Sequence, residues 1–388
     1  MTVGIGDEAA HNDAPDHPLP PLARLCECGI EFLQEVYSDE RALFPYSSRR
    51  TADGRWLSDY REPAALRYSI NTLLGLQAAA ASSRGRELAE WVDALIGDFL
   101  HLRSSPGSPA DRGLLLVLLA DLDAQRSVAE HLVSHIDRDF REPRLGTLNM
   151  QDLGWMIWGT ARAARAGLPG ADAASERAFR LMLEHFVDRR TGLPRHSVRR
   201  YRRDLVSFGS VVYYLRGLHE YGAASGDREA GDLFRLGVER ILELQGPSGE
   251  WPWLLDVRRG RIVDPYPIFT VHQDSMAPLF LVPALEEHGI RAARDAVTRS
   301  LEWVAGRNEL RLPMLVDEPF NAYRSIERRE GLGRLRRYLR AAGSSVGSGS
   351  REFQSGTVRL NPECRSYHVG WLLYVWAARG DWSGSGAD

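Results

Sequence analysis

Two kinds of helical segment alternate along almost the whole chain, and this alternation limits the architecture more than any other feature. One kind is amphipathic, with one apolar stripe and a charged outer face. The other is apolar nearly all round, with polar or aromatic residues at its start. A helix of the first kind lies at the surface of a domain, whereas one of the second kind is buried. The predicted amphipathic helices cover residues 22–37, 86–102, 125–137, 173–188, 228–244 and 290–306, and the apolar ones cover 61–81, 111–122, 149–166, 204–222, 272–287 and 365–379.

Six helices of each kind in strict alternation predict an all-α domain whose helical hairpins close into a double-walled ring, an (α/α)6 toroid. Neither a four-helix bundle nor an open solenoid accounts as well for six fully apolar helices, and the solenoid is kept as the alternative architecture. We expect this single domain to span residues 22–380, between a disordered tail at 1–21 and a flexible tail at 381–388.

Two connections are much longer than the others, and long loops in compact domains are usually functional or disordered. The first, residues 246–271, contains a candidate β-ribbon around 251–257 and 261–268. The second, residues 308–363, contains a Gly/Ser-rich stretch at 343–350 that is typical of flexible segments.

The charge balance and the three cysteines exclude several classes of protein. A net charge of −3, from acidic and basic residues spread over both halves, does not favour a nucleic-acid partner. The apolar runs are too short for a membrane span, and the acidic, Pro-rich start does not resemble a signal peptide. Three cysteines are too few for a disulfide framework in 388 residues, so we expect a cytoplasmic protein. The oligomeric state is left open.

The motifs of common cofactor and metal sites are absent from the sequence. There is no Gly-rich phosphate loop, no Gly-x-Ser-x-Gly elbow and no His-Glu-x-x-His pair, so no cofactor is expected. Cys26, Cys28, Cys364 and His368 are of ligand types that zinc prefers, and the first and last hairpins are neighbours in a closed ring. However, Cys26 and Cys28 point to different sides of a helix, so we expect no metal site.

The starts of the inner helices are the expected location of a site, because these starts converge on one mouth of a toroid. Capping is the simplest explanation of Asp, Ser and Asn at such positions. Capping does not explain Gln151 and Asp152 beside Trp155, the run from His272 to Asp274, or Tyr367 and His368 near Trp371.

The residues around Trp251 and Trp253 are the most informative. Two tryptophans beside acidic groups form a candidate platform for sugar rings; alternatively, they wedge the loop against the barrel. Asp274 and Glu250 are the leading candidates for general acid or base, with Asp152 as a possible second carboxylate, since glycoside cleavage needs two carboxyl groups.

Other polar residues complete the predicted site. His272 and His368 are candidate proton carriers, although either is also explained as a structural histidine. The residues expected to bind substrate are Tyr60, Arg61, Gln151, Trp155, Trp251, Trp253, Gln273, Tyr367 and His368.

The alternating helices resemble two groups that share the α/α toroid. One is the six-hairpin glycosidases with related sugar epimerases and lyases. The other is the terpenoid cyclases and protein prenyltransferases, since residues 245–251, Gln-Gly-Pro-Ser-Gly-Glu-Trp, resemble the Gln and Gly-x-Trp repeat of triterpene cyclases. Those cyclases use an Asp-x-Asp-Asp acid, to which Asp121 and Asp123 correspond only incompletely.

Three functional hypotheses follow. The first is a carbohydrate-active enzyme, of glycoside hydrolase, lyase or epimerase type, that binds a small-molecule or oligosaccharide substrate in the central cavity. The second is a terpenoid cyclase-like enzyme without the usual acid motif, which requires a deep chamber with aromatic walls. The third is a non-catalytic binding protein that uses one face of the toroid. The polar mouth favours the first.

Overall fold

The computed structural model describes residues 18–82, 86–103, 107–141, 145–329 and 358–382. Within these ranges the chain is mostly helical, as predicted. Its helices are α1 (Leu22–Val36), α2 (Ala64–Ser82), α3 (Arg86–Arg103), α4 (Pro109–Leu119), α5 (Arg126–Arg141), α6 (Met150–Arg165), α7 (Ala171–His185), α8 (Phe208–Ser225), α9 (Arg228–Leu242), α10 (Pro278–Glu286), α11 (Ala292–Ala305) and α12 (Ser366–Trp376).

The even-numbered helices form a closed inner ring. Each packs on the next, in the order α2, α4, α6, α8, α10, and α12 contacts both α2 and the π-helical turn His272–Met276 that precedes α10. The odd-numbered helices lie outside this ring. The predicted double-walled toroid is therefore confirmed, and its inner helices run in one direction.

The two layers differ in burial as their sequences predict. In the inner helix α4, every residue from Gly113 to Leu119 is buried. In the outer helix α9, the buried residues recur three and four apart, for example at Ala230, Leu233, Phe234 and Gly237, so that one stripe faces the ring.

Glycines allow the inner helices to approach closely. Gly75 on α2 faces Gly370 on α12, and a β-carbon on Gly75 would overlap the Gly370 carbonyl group. Between α6 and α8, a β-carbon on Gly154 would lie 2.6 Å from the Tyr213 carbonyl oxygen. The inner wall is therefore held by backbone contact as well as by side-chain packing.

The predicted helix 272–287 is interrupted, and Pro278 explains the break. Proline has no N–H to donate to the carbonyl of residue 274, four positions earlier. The Ala277 N–H instead bonds the His272 carbonyl in a π-type contact of 3.1 Å. The Asp274 carbonyl accepts the indole N–H of Trp376 at 2.6 Å.

Short strands occupy the connections from outer to inner helices. They are β1 (Ser47–Arg50), β2 (Trp56–Asp59), β3 (Val187–Asp188), β4 (Leu193–Pro194), β5 (Leu205–Ser207), β6 (Leu254–Asp256), β7 (Arg261–Asp264), β8 (Ile268–Phe269), β9 (Leu315–Asp317), β10 (Phe320–Ala322), β11 (Ser325–Arg328) and β12 (Val358–Asn361). They pair as β1–β2, β3–β4, β5–β6–β7, β8–β11–β12 and β9–β10. These connections lie at the N-terminal ends of the inner helices, which makes this end of the toroid the loop-rich face.

The predicted β-ribbon in the first long connection is confirmed by the antiparallel pair β6–β7. The other strands were not predicted, because strands of two to four residues are too short to show a clear alternation. The predicted Gly/Ser stretch 343–350 and residues 1–17 of the predicted tail lie outside the described residues.

The first and last described segments of the domain pack against each other and against α11. Asp381 accepts a hydrogen bond from the Leu22 N–H at 2.6 Å, and Trp382 donates to the Thr298 hydroxyl at 3.1 Å. Residues 381 and 382, which the sequence places in a flexible tail, thus join the fold. None of the described helices is both long and apolar enough to cross a membrane.

Candidate functional site

The leading ends of the inner helices bring polar and aromatic side chains together at the loop-rich face. We call this set the mouth ring. Its members are Arg67 and Tyr68 on α2, Asp111 on α4, Asp152 and Trp155 on α6, Tyr213 on α8, His272 in the π-helical turn and Tyr367 on α12.

Two carboxyl groups share one arginine in the mouth ring. Arg67 Nε donates to Asp111 Oδ1 at 2.5 Å, and its guanidinium lies 5.0 Å from the centre of the Trp155 ring. Burial raises the pKa of Asp152 to about 6; the negative charge of Asp111 also raises it, while Arg67 lowers it. The pair therefore combines an ion-paired carboxylate with a carboxyl group that keeps its proton up to about pH 6.

The start of α6 positions Asp152. Asn149 is the N-cap: its side-chain oxygen accepts the Asp152 N–H at 3.1 Å. The Asn149 amide donates to Asp152 Oδ2 at 2.6 Å. Asn149 is therefore explained as a helix cap, and its second hydrogen bond fixes the position of the Asp152 side chain at the mouth.

Aromatic rings continue the mouth ring around the rest of its circumference. Tyr68 packs on Tyr367 with ring centres 4.3 Å apart, and Trp155 packs edge-on against Tyr213 at 4.8 Å. Tyr46, in the loop before β1, stacks on the outer side of Tyr68 at 5.2 Å. The result is a polar patch bordered by ring faces.

Trp253 lies parallel to the imidazole of His272, with ring centres 6.1 Å apart and planes at 7°. His272 is buried, and burial, followed by the charge of His368, lowers its pKa to about 3. His272 is therefore neutral at physiological pH, and its buried Nδ1 has no hydrogen-bond partner within the described structure.

Aromatic side chains fill the toroid axis below the mouth. Trp371 stacks on Trp158 at 5.9 Å and lies 6.1 Å from Tyr213, and all three are buried. At the opposite end, the Arg216 guanidinium is ion-paired with Glu220. In the part of the chain that the structure describes, aromatic side chains pack the axis below the mouth.

Five of the predicted residues lie at this mouth. They are Asp152, Trp155, Trp253, His272 and Tyr367. Gln151 is half-buried in the first turn of α6 beside them.

Asp274 and His368 lie within the wall of the ring. His368 Nε2 is 2.7 Å from Asp274 Oδ2, and the side chains are 2% and 0% exposed. Asp274 Oδ1 accepts the Ser275 hydroxyl at 2.5 Å, so both oxygens of the carboxylate are engaged. We call Asp274 and His368 the closing pair, because it joins the π-helical turn to α12.

Trp251 and Gln273 hold the first long loop in place. Gln273 Oε1 accepts the Trp251 N–H at 2.9 Å, and the Trp251 indole donates to Ser300 on α11 at 2.9 Å. Trp251 is fully buried against Phe208, which is the arrangement expected of a wedge between loop and barrel.

Glu250 contacts its own loop and faces α11. Its carboxylate accepts the Ser248 N–H at 3.0 Å, and burial raises its pKa to about 7, with a smaller contribution from Glu309. These contacts place it outside the mouth ring.

Tyr60 and Arg61 lie at the rim, near the β1–β2 hairpin. The Tyr60 hydroxyl donates to the Val36 carbonyl at 2.7 Å, and Arg61 is exposed and paired with Asp59 at 2.5 Å. Both line a surface cleft that borders the mouth.

The sequence reasoning missed Arg67, Tyr68, Asp111 and Tyr213 as site residues. It concentrated on residues at predicted helix starts, whereas most of these lie a turn inside their helices. An available signal was the occurrence of charged or hydroxyl-bearing side chains on otherwise apolar helices, such as Asp111 ahead of the run 113–120.

The three cysteines lie apart from the mouth ring, as free thiols in the core. Cys26, Cys28 and Cys364 are free and buried, and burial raises the pKa of Cys26 and Cys364 to about 12. Among the described residues, no group of three or more His, Cys, Asp or Glu side chains is arranged to hold a metal ion.

Comparison with known proteins finds similarity in structure alone. No family model matches the sequence. No curated protein matches it at a significant level.

Solved structures of similar shape act on sugars, according to their descriptions. A sugar epimerase from a ruminal bacterium has a TM-score of 0.66 and 11% identity, over 92% of this chain and 97% of its own. Cellobiose 2-epimerase from Bacillus thermoamylovorans has a TM-score of 0.63 and 11% identity, over 91% of this chain and 98% of its own. An inactive variant of an α-1,6-mannanase of Salegentibacter sp., in complex with α-1,6-mannotetrose, has a TM-score of 0.60 and 10% identity, over 92% of this chain and 98% of its own.

These likenesses give the terpenoid cyclase hypothesis no support, and neither does the packed axis. At identities of 10 to 11% they establish architecture and not activity. The chain has the (α/α)6 toroid fold that six-hairpin glycosidases share with sugar epimerases.

Proposed function

We propose that this protein is an enzyme that processes a saccharide bound over the mouth ring, with Asp152 as the proton donor. The observation that carries the proposal is the pair Asp152 and Asp111. One carboxyl group has its pKa raised to about 6, and the other is ion-paired with Arg67 at the same site. Neighbouring carboxyl groups in contrasting environments are suited to separate acid and base roles.

Hydrolysis of a glycosidic bond uses such a pair directly. Asp152 transfers its proton to the glycosidic oxygen as the bond from that oxygen to the anomeric carbon breaks. Asp111, as a carboxylate, either takes a proton from the attacking water or attacks the anomeric carbon itself. Arg67 holds the Asp111 carboxylate by a hydrogen bond and contacts the face of Trp155, and Asn149 holds the Asp152 carboxyl group.

The aromatic rings at the mouth supply surfaces for the sugar. Pyranose C–H faces are apolar and pack on aromatic rings, while the hydroxyl groups need polar partners. Trp253 is half-buried and fixed against His272 and Phe269, with ring centres 6.1 and 5.1 Å away. Tyr367 and Gln151 are placed to bind hydroxyl groups. In this proposal the closing pair positions the wall and takes no part in proton transfer.

The likeness to sugar epimerases and to a mannanase supports the proposal, since those proteins have the same fold and their described activities concern saccharides. Epimerisation is a second candidate, favoured by His272. Nδ1 of its neutral imidazole has no hydrogen-bond partner within the described structure and can accept a proton, and the ring lies parallel to Trp253 with ring centres 6.1 Å apart.

The test is a panel of oligosaccharides incubated with the protein in D2O and followed by NMR. New reducing ends indicate hydrolysis, and deuterium at the carbon next to the anomeric centre indicates epimerisation. For hydrolysis, we expect Asp152→Asn to lower kcat by a factor of about 100 to 10,000. Glu250→Gln, at another buried carboxyl group, is the matched control and should keep kcat within about threefold.

Two outcomes contradict the proposal. Full activity of Asp152→Asn would exclude this residue as the acid. Binding of saccharides with no turnover by the unmodified protein would favour the non-catalytic alternative.

A further inference from the structure

A cleft of about 770 Å³ opens beside the mouth, between the β1–β2 hairpin and the segment that leads into α12. This volume falls within the range of small-molecule sites. Its charged lining residues are Arg41, Arg49, Asp59, Arg61 and Glu363.

Glu363 is surrounded by three arginines. Its Oε1 lies 2.7 Å from Arg49, and its Oε2 lies 2.9 Å from Arg324 and 2.5 Å from Arg365. Burial alone would raise the pKa of Glu363, but Arg49, Arg365 and Arg324 outweigh it and hold the pKa at about 2. One carboxylate thus faces three guanidinium groups, and the excess at this point is two positive charges.

The remaining charged residues of the cleft do not neutralise this excess of positive charge. Arg61 is paired with Asp59, which leaves that pair neutral. The Arg41 guanidinium lies over the Tyr60 ring at 5.6 Å, and no carboxylate partner for it occurs among the described residues. Five guanidinium groups in and behind the cleft therefore meet two carboxylates.

The arginine at the back of the cleft is held rigidly. Arg365 is 3% exposed, its guanidinium lies 3.9 Å from the centre of the Tyr46 ring, and it donates to the Tyr46 carbonyl at 3.0 Å. Arg61 approaches the same ring at 5.8 Å. Such preorganised guanidinium groups bind carboxylate and oxyanion ligands with little further loss of entropy.

The cleft and the mouth share a wall. Tyr46 contacts Arg61 and Arg365 on the cleft side, and its ring stacks on Tyr68 of the mouth ring at 5.2 Å. Arg324, which binds Glu363, also lies 5.5 Å from the Phe269 ring, next to Trp253. The mouth and the cleft are therefore adjacent, with the Tyr46 ring between them.

We infer that this cleft binds the anionic group of an acidic saccharide whose neighbouring unit lies over the mouth ring. The inference rests on the proposed function and specifies its substrate class. A carboxylate, sulfate or phosphate ester on the sugar would neutralise part of this excess of three positive charges. A neutral saccharide would leave them unpaired and would gain no charge-assisted hydrogen bonds.

The test compares a charged ligand with its neutral counterpart by isothermal titration calorimetry. Trigalacturonic acid and its methyl ester have the same skeleton and differ in the negative charges. We expect the acid to bind at least about tenfold more tightly, the effect of one charge-assisted hydrogen bond. The affinity should fall as NaCl is added. A sulfated galactose oligosaccharide and glucose 6-phosphate form two further arms, and the tightest ligand identifies the anion.

The preference should depend on the cleft arginines. In the double variant Arg41→Gln with Arg49→Gln, we expect acid and ester to bind equally. Arg86→Gln, an exposed arginine on α3 paired with Glu90, is the matched control and should keep the full preference.

Three results would overturn the inference: equal binding of acid and ester to the unmodified protein, a preference that persists in the double variant, or no binding of any acidic probe at millimolar concentration. Acid binding through these arginines without turnover of any saccharide would remove the proposed catalysis and keep the cleft assignment. Turnover of neutral saccharides with no preference for acids would keep the proposed catalysis and remove the cleft assignment.

Discussion

His368 Nε2 lies 2.7 Å from Asp274 Oδ2, between the last inner helix and the π-helical turn of the fifth hairpin. Asp274 is also fixed through its backbone, since its carbonyl accepts the Trp376 indole N–H at 2.6 Å. The ring closes where α12 packs on α2. This pair, 94 residues apart, fixes α12 to its other neighbour, the π-helical turn.

Breaking the closing pair should destabilise the fold. Removing one partner leaves the other polar group buried and unpaired, so we expect Asp274→Asn and His368→Gln each to lower the free energy of unfolding by about 3 kcal/mol. The double variant should lose less than the sum of the two, which a double-mutant cycle by urea denaturation measures. Unchanged stability of Asp274→Asn together with abolished turnover would instead make Asp274 a catalytic residue.

The pH dependence of activity should follow Asp152. As a proton donor with its pKa raised to about 6, it loses activity as the pH rises through that value. Asp111 raises this pKa and Arg67 lowers it. In Asp111→Asn, which lacks the proposed base, the pKa of Asp152 followed by carboxyl 13C NMR should therefore fall. In Arg67→Gln, the alkaline limb of log kcat/KM against pH should move to higher pH. Shifts in the same direction for both variants would contradict the assignment.

Glycine at position 75 should be required for closure of the inner wall. An alanine β-carbon there would overlap the Gly370 backbone, which cannot move aside as a side chain does. We expect Gly75→Ala to cost about 3 kcal/mol or more. Gly97→Ala, on the exposed face of α3 with nothing within 4 Å of the new carbon, should stabilise by about 0.5–1 kcal/mol. Equal effects of the two changes on thermal unfolding would refute this account.

Glu250 should make the protein less stable as the pH rises. Its pKa in the folded state is raised from 4.5 to about 7, so the folded state binds more protons than the unfolded state between these values. The contribution of the protonated group is fully present below pH 4.5 and is lost as the pH rises through 7. Glu250→Gln should match the unmodified protein at pH 4.5 and exceed it by about 2 kcal/mol at pH 8. Parallel stability curves for the two proteins would disprove the assignment.

Trp253 should contribute to saccharide binding through its ring face. We expect Trp253→Ala to weaken binding of an oligosaccharide about tenfold, because a stacked aromatic surface is lost. Trp253→Phe, which keeps a smaller ring, should retain much of the affinity. Full affinity of the alanine variant in a calorimetric titration would place the sugar elsewhere.

The helical layers were predictable because the distribution of apolar residues on each helix indicates whether that helix is buried. The run 113–120 is apolar on all sides and must be buried, whereas α9 shows a stripe and lies outside. The ribbon β6–β7 was also predictable, from two short apolar runs around Arg259 and Gly260. These signals are local, since each of them is contained in a short stretch of consecutive residues.

The candidate site was only partly predictable. Asp152, Trp155, Trp253, His272 and Tyr367 were located by their positions near helix starts. Asp274, Glu250 and Trp251 are also acidic or aromatic residues, but they lie elsewhere. Asp274 lies in the wall because each step along a helix turns the side chain by about 100°. Glu250 and Trp251 belong to the loop before β6. The sequence pattern does not determine in which direction each of these side chains points.

The sequence by itself determines the order of the helices, their inner or outer position and the end of the ring that carries the loops. The reason is that the local periodicity of apolar residues indicates which surface of each helix is buried. The partners of Arg67, Asp111, Asp152 and Glu363 were decided only by the tertiary structure. Contacts among these charges join segments far apart in the chain, and their protonation depends on burial that exists only when the ring is closed.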